Sequence, residues 1–267
     1  MMTIVENTAL THDIYRMRLA GDLSAFEAPG QFIDIRLEGH FLRRPISVCD
    51  IDYTDRYGRE GVLTILYKVL GKGTEEMTIF ENGRELDVLT GLGNGYDLDA
   101  AGERPLLIGG GVGIPPLYLA AKRLRDRDLP VTAILGFNTA DDIFYDTDFM
   151  ELGCDVVIAT ADGSAGIRGF VTDAFRETVT ECGQACMEDA DAEYGRFTHF
   201  YTCGPEPMLK AVFNEVYKEA GISGQMSFEE RMGCGFGACM GCSIKTKNGN
   251  KRICKDGPVL RTEEIAW

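Results

Sequence analysis

The chain has 267 residues, 45% hydrophobic and 26% charged, enough for two compact domains and a small appendage. Its formal charge of −15 argues against a nucleic-acid surface, because no segment concentrates the Lys and Arg that phosphate contacts need. The N-terminus reaches Glu6 and Asp13 before an apolar run can form, and the longest uncharged stretch, 105–121, is broken by four glycines and by Pro115 and Pro116. Neither a signal peptide nor a membrane span is expected, and the cytoplasm is the expected compartment.

The first hundred residues read as β-rich. Residues 31–37 alternate, 45–48 form a short apolar run, and 61–70 form a long strand carrying Val62, Ile65, Tyr67 and Val69. Turns at Gly39, 55–58 and 71–73 separate them, a spacing that suggests a barrel or a sandwich.

From about Glu103 the rhythm changes. A strand at 106–108, a helix over 115–127, strands at 131–135 and 155–159, a helix near 170–180, a strand at 198–203 and a helix over 205–220 follow in turn. Such alternation implies a parallel sheet covered by helices, with a nucleotide at the carboxyl ends of its strands. The acidic run 182–196 reads as an exposed loop and 223–228 as the last strand, before a tail rich in glycine and cysteine. The expected class is α+β and multidomain, with units at 1–101, 102–224 and 225–267.

The tail reads Arg231-Met232-Gly233-Cys234-Gly235-Phe236-Gly237-Ala238-Cys239-Met240-Gly241-Cys242, with Cys254 further on. This is C-x4-C-x2-C…C, the plant-type [2Fe-2S] spacing, which makes Cys234, Cys239, Cys242 and Cys254 the candidate metal ligands. A loop wrapped round two iron atoms must turn its amides toward the sulfurs, and small residues allow that approach. A structural zinc site is the alternative, although zinc modules bring ligands in two close pairs and only Cys239 and Cys242 form a C-x2-C. The other five of the nine cysteines read as small hydrophobes.

Leu106-Leu107-Ile108-Gly109-Gly110-Gly111-Val112-Gly113-Ile114-Pro115 is a buried strand running through glycines into a helix opened by proline. The glycines let backbone approach a pyrophosphate, and the helix start offers free N–H groups. A tight strand-to-helix turn without ligand is the plainer alternative. Cys203-Gly204-Pro205 makes a second sharp turn at a strand end, and together the two turns bracket one nucleotide site. Asn138, Thr139, Ala140, Asp141 and Asp142, after the strand at 131–135, include no Arg to favour a 2′-phosphate, which leans toward NAD.

Arg44-Pro45-Ile46-Ser47, Leu66-Tyr67-Lys68-Val69 and Gly71-Lys72-Gly73-Thr74 resemble the flavin segments of the ferredoxin-NADP reductase superfamily, in which a flavin-binding β-barrel precedes a pyridine-nucleotide domain. The resemblance implies that Arg44 meets the FAD pyrophosphate, that Ser47 lies near the isoalloxazine, that Leu66, Tyr67 and Lys68 border the flavin, and that Gly73 and Thr74 meet phosphates. Leu92-Gly93-Asn94-Gly95 is similar to the same family. The order of barrel, nucleotide domain and cysteine tail, with Cys254-Lys255-Asp256-Gly257-Pro258-Val259 closing it, resembles the electron-transfer subunits of type B dihydroorotate dehydrogenases.

That resemblance implies FAD, [2Fe-2S] and NAD as cofactors. Its implied partner is an FMN-containing catalytic subunit, joined two plus two in a heterotetramer, from which electrons reach NAD+ in pyrimidine biosynthesis. The residues agree on one point, since His12, His40 and His199 form no acid-base constellation and dehydrogenation is expected on another chain. The same layout also fits the electron-transfer subunit of a sulfhydrogenase or of a bifurcating ferredoxin-NADP oxidoreductase. A self-sufficient flavin reductase and a zinc-stabilised binding protein are further alternatives.

Overall fold

The computed structural model describes residues 1–55, 59–188 and 197–267, and of 181–188 the backbone alone. A first sheet is built from β1 (Met2–Ala9), β2 (Ile14–Asp22), β3 (Phe32–Ile35), β4 (Arg44–Tyr53), β5 (Glu60–Lys68), β6 (Glu85–Leu86) and β7 (Val88–Leu92). Its order is β6-β1-β2-β5-β4-β3-β7, and every pairing is antiparallel. Only Asp87 separates the two edge strands in sequence, so the sheet curls until its edges approach each other. Met17, Leu19, Ile33, Ile35, Leu63 and Ile65 share one core. Strands β1 and β2 are less legible by periodicity, because Glu6, Arg16 and Arg18 interrupt them; these three pair across the ladder instead, Arg16 at 2.6 Å from Glu6.

Where a turn is expected at 71–73, a short helix, α1 (Lys72–Met77), follows β5. Thr74 fixes its start, its Oγ1 accepting the Leu70 and Gly71 amides at 3.0 and 3.3 Å.

The second sheet takes β8 (Pro105–Gly110), β9 (Thr132–Phe137), β10 (Asp155–Thr160), β11 (Ile167–Arg168), β12 (His199–Cys203) and β13 (Gly224–Ser227). Helices α2 (Pro115–Arg125), α3 (Asp146–Glu151), α4 (Val171–Glu188) and α5 (Glu206–Val212) accompany these strands. Leu106, Leu107 and Ile108 of the central β8 are all fully buried, as a parallel strand covered on both faces requires. The acidic run expected as a loop from 182 is helical through Glu188: α4 continues because Glu, Gln, Ala and Met favour helix and no proline stops them. The rest of that run, 189–196, and residues 56–58 of the hairpin after Tyr53 lie outside the described residues.

The tail forms a hairpin of β14 (Ser243–Thr246) and β15 (Gly249–Arg252), a single turn α6 (Ile253–Asp256), and β16 (Val259–Arg261). Strand β16 returns to pair antiparallel with β13, giving the sheet order β11-β10-β9-β8-β12-β13-β16. Thus 223–228 is not the last strand, and 225–227 and 259–261 lie in the second sheet.

The two sheets interlock. Leu119 of α2 sits in the core of the first, and Ile14, Cys49 and Leu66 sit in the core of the second. Lys122 reaches across to Asp50 at 2.8 Å and Asp52 at 3.1 Å. Asn94, just past β7, clasps the start of β16, donating to Val259 O at 2.8 Å and accepting the Val259 amide at 3.1 Å.

Candidate functional site

A cleft of ≈ 440 Å³ opens where the sheets and the tail meet. Pro45, Ile46 and Ser47 of β4, Leu66, Tyr67 and Lys68 of β5, Thr74 of α1 and Val112 of the glycine turn all line it. The volume and the apolar walls suit a planar aromatic group held by a few polar contacts. Tyr67 presents only part of its ring, which stacks on Tyr15 at 5.6 Å while its hydroxyl donates to Asn7 Oδ1 at 3.0 Å. Lys68 is drawn to Asp13 at 3.0 Å.

Arg44 and Gly73 stand beside these lining residues. The guanidinium lies so close against Gly73 that a Cβ there would overlap it. Its Nη1 donates to Leu42 O at 2.5 Å, its Nη2 donates to His40 Nδ1 at 3.0 Å, and its Nε has no partner among the described residues. A fixed guanidinium next to Thr74 suits a phosphate at this end of the cleft.

Ser227 of β13 and the tail residues Phe228, Glu229, Glu230, Arg231, Met232 and Pro258 close the cleft, with Phe32 of β3 packed in the same cluster as Phe228. Periodicity alone did not mark Phe32, Ser227, Phe228 or Pro258 as site residues. Their one signal is position, since each lies within a few residues of a recognisable strand or cysteine motif.

A second cleft of ≈ 420 Å³, lined by Gly204, Pro205, Glu206, Leu209 and Trp267, shares Phe228, Glu229 and Glu230 with the first. The two glycine turns touch here. A Cβ on Gly113 would lie 2.5 Å from Cys203 C and 2.6 Å from Gly204 Cα. Gly109 and Gly110 end β8, and Gly111 takes φ +52 at a point where nothing crowds it. Cys203 is buried, and burial followed by the Glu229 charge pushes its thiol up.

The four tail cysteines converge as two pairs. Cys234 accepts the amides of Ala238 at 3.2 Å and Cys239 at 3.4 Å, while Cys242 accepts the amide of Cys254 at 3.4 Å. Burial acts to raise the Cys234 thiol, yet the amides of Cys239 and Phe236 and the Cys239 side chain outweigh it and lower it to about 6. Cys254 is pushed up to about 12, first by burial and then by the neighbouring Cys242. Among the described residues no three His, Cys, Asp or Glu side chains gather round a single ion. Two pairs of thiols, Cys234 with Cys239 and Cys242 with Cys254, are the donor set that two iron atoms take. Gly235 at φ +76 and Gly237 at φ +91 let the loop turn tightly, and a Cβ on Gly233 would approach Cys239 Sγ at 3.1 Å.

Asp34 packs against this loop, with its carboxylate where a Gly235 Cβ would fall. It is 2% exposed, and its Oδ1 has no hydrogen-bond partner among the described residues. Burial raises its carboxyl to about 6. The remaining described cysteines, Cys49, Cys154 and Cys203, are buried and free, consistent with packing as small hydrophobes.

Residues 107–214 match the family described as oxidoreductase NAD-binding domain, and 229–266 match the iron-sulfur cluster binding domain of dihydroorotate dehydrogenase B. The dihydroorotate dehydrogenase B (NAD(+)) electron transfer subunit of Fusobacterium nucleatum is 40% identical over 271 residues, covering 98% of this chain and 96% of that one. Its counterpart in a Geobacillus species is 40% identical over 273 residues, covering 99% and 97%. Among solved structures, a chain of the NADH-dependent reduced ferredoxin-NADP oxidoreductase, studied for flavin-based electron bifurcation, has TM-score 0.84 and 31% identity over 100% of this chain and 90% of its own. A ferredoxin NADP+ reductase from Neisseria gonorrhoeae with bound FAD and NADP shares the fold, with TM-score 0.65 and 19% identity over 81% of this chain and 89% of its own.

Proposed function

The chain belongs to the family of dihydroorotate dehydrogenase B electron transfer subunits, and from that premise we propose that it carries electrons between a dihydroorotate-oxidising partner and NAD+ in pyrimidine biosynthesis. The observation that carries this reading is the meeting of three parts at one cleft: the flavin-type wall of β4 and β5, the glycine turn after β8, and the cysteine tail. When bound, FAD exchanges a hydride as an electron pair and [2Fe-2S] carries electrons singly, so a chain holding both couples NAD to a one-electron route.

The residues divide that work. Pro45, Ile46, Ser47, Leu66, Tyr67 and Lys68 border the flavin and exclude water, while Arg44, Gly73 and Thr74 hold its phosphates. Gly109, Gly110, Gly111, Val112 and Gly113, with Cys203, Gly204 and Pro205, receive NAD beside it. Cys234, Cys239, Cys242 and Cys254 would hold the [2Fe-2S] cluster. Residues 1–101 form the FAD unit, residues from 102 the NAD unit, whose sheet also takes 225–227 and 259–261, and the rest of the tail the cluster unit.

None of the three histidines lines either cleft. His40 is tied to Arg44 and Glu76, His12 is exposed beside Asp13, and His199 is buried, with burial lowering its pKa. Family membership assigns oxidation of the organic substrate to an FMN-containing catalytic partner, and the proposed assembly is a heterotetramer of two plus two in the cytoplasm. No helix among the described residues is long and apolar enough to cross a membrane. The 31% likeness to the ferredoxin-NADP oxidoreductase chain is what supports the rival partner, a bifurcating complex, against the 40% likeness to the dihydroorotate dehydrogenase subunits.

Anaerobic purification tests the cofactors, with flavin bands, iron and acid-labile sulfide expected. Zinc in a colourless protein would sink the assignment. Co-purification from the native cell tests the partner, and recovery of a hydrogenase or a glutamate-synthase-like subunit instead would reject the pyrimidine route.

A further inference from the structure

Arg44 is held by more than the backbone. His40 Nδ1 lies 3.0 Å from Arg44 Nη2, and His40 Nε2 lies 3.0 Å from Glu76 Oε2. A guanidinium can only donate, so Nδ1 must carry the lone pair and Nε2 the proton, which it donates to Glu76. The three side chains form a line from carboxylate to imidazole to guanidinium. Both ends meet one helix: Glu76 sits on α1, and the Arg44 guanidinium is pressed against Gly73 of the same helix. His40 is also largely enclosed, its side chain 20% exposed.

We propose that His40 and Glu76 are positioning residues for the cofactor phosphates, acting through Arg44. Glu76 selects the Nε2–H tautomer, and the Nδ1 lone pair holds Nη2 so that the guanidinium keeps one plane and one rotamer. An arginine side chain carries several free torsions, and fixing them before a phosphate arrives removes an ordering cost from binding. Nothing in the Arg-Pro-x-Ser pattern predicts this, because His40 lies outside it and Glu76 is distant in sequence. The inference rests on Arg44 being the phosphate arginine, and the test separates the two.

The measurement is the dissociation constant of FAD from the full chain, read from the fluorescence of flavin released on dilution. His40→Ala is expected to weaken FAD about tenfold, the size of one hydrogen bond to a charged group. His40→Asn, whose Oδ1 can stand where Nδ1 stood, is expected to keep most of the affinity; His40→Gln, which places no acceptor there, is expected to lose it. Arg44→Ala alone and the double variant His40→Ala/Arg44→Ala are expected to bind equally weakly, since the histidine has nothing left to position. A double variant weaker than Arg44→Ala by the full His40→Ala factor overturns the positioning role. Normal affinity in His40→Ala, beside a weak Arg44→Ala, overturns the inference and leaves the Arg44 assignment standing. Normal affinity in Arg44→Ala overturns both. Should His40→Ala not fold, the contrast between Asn and Gln decides, and equal affinities there count against the proposal.

Discussion

Gly113→Ala isolates the contact between the two nucleotide turns. A methyl group at this position would lie 2.5 Å from Cys203 C and 2.6 Å from Gly204 Cα, both backbone atoms that cannot rotate away. Real Cβ contacts essentially never fall under 3.0 Å, so the turns must part by at least about 0.5 Å. Overpacking of this kind costs about 1–3 kcal/mol of stability. The larger consequence is for the ligand, because amides at both turns are expected to hold one pyrophosphate, and parting them misaligns one set. NAD affinity should fall about tenfold to a hundredfold, or roughly 1.4–2.8 kcal/mol. Gly221→Ala is the control. Gly221 has φ +69 with open space around it and precedes β13, at the other end of the sheet from the turns, so alanine there strains the backbone by about 1–2 kcal/mol without moving them. Titration of each variant with NADH, followed by flavin fluorescence, compares them at equal FAD and iron content. Equal loss of NADH affinity in both variants, or loss of FAD rather than NADH from Gly113→Ala, would refute the reasoning.

Two further predictions concern stability. Asp34 has a folded carboxyl raised to about 6 from 3.8, so its contribution favours the fold at low pH and is lost as pH rises through about 6. Asp34→Asn removes that loss, and its lead in unfolding free energy over the native chain, read by urea titration, should widen by about 1.4 kcal/mol from about pH 5 to about pH 8; a constant lead would contradict the burial argument. Lys122→Met removes the ion pair joining α2 to β4 and leaves Asp50 only 14% exposed. A urea double-mutant cycle with Asp50→Asn should give a coupling of about 1 kcal/mol, and additive effects would show that the bridge contributes nothing.

The chemistry of the chain was more legible than its boundaries. The C-x4-C-x2-C spacing and the glycine turns are local patterns whose geometry follows from a few adjacent residues, and they could be read directly. Strands β1 and β2 were obscured because Glu6, Arg16 and Arg18 break the apolar alternation while satisfying one another across strands. The length of α4 is not legible from acidity, because Glu, Gln, Ala and Met carry the helix past Gly183 to Glu188 and no proline stops it. The return of β16 to β13, the clasp of Asn94 on Val259 and the His40–Glu76 pair are contacts between segments far apart in sequence, and no local pattern encodes them. For the same reason Phe32 and Phe228 became visible as cleft walls only once the sheets and the tail were brought together.

The central claim is that electrons pass between NAD and a partner through the cysteine tail, and Cys239→Ser tests it most directly. Cys239 belongs to the Cys234 pair and lies at the exposed side of the loop, so its loss should disable the cluster and leave the flavin cleft intact. With the catalytic partner present, dihydroorotate-dependent reduction of NAD+ should be abolished, while the same FAD-loaded protein oxidises NADH with an artificial acceptor at the native rate. Dihydroorotate-dependent NADH formation at the native rate in Cys239→Ser, or loss of both activities in a folded, FAD-loaded protein, would contradict it.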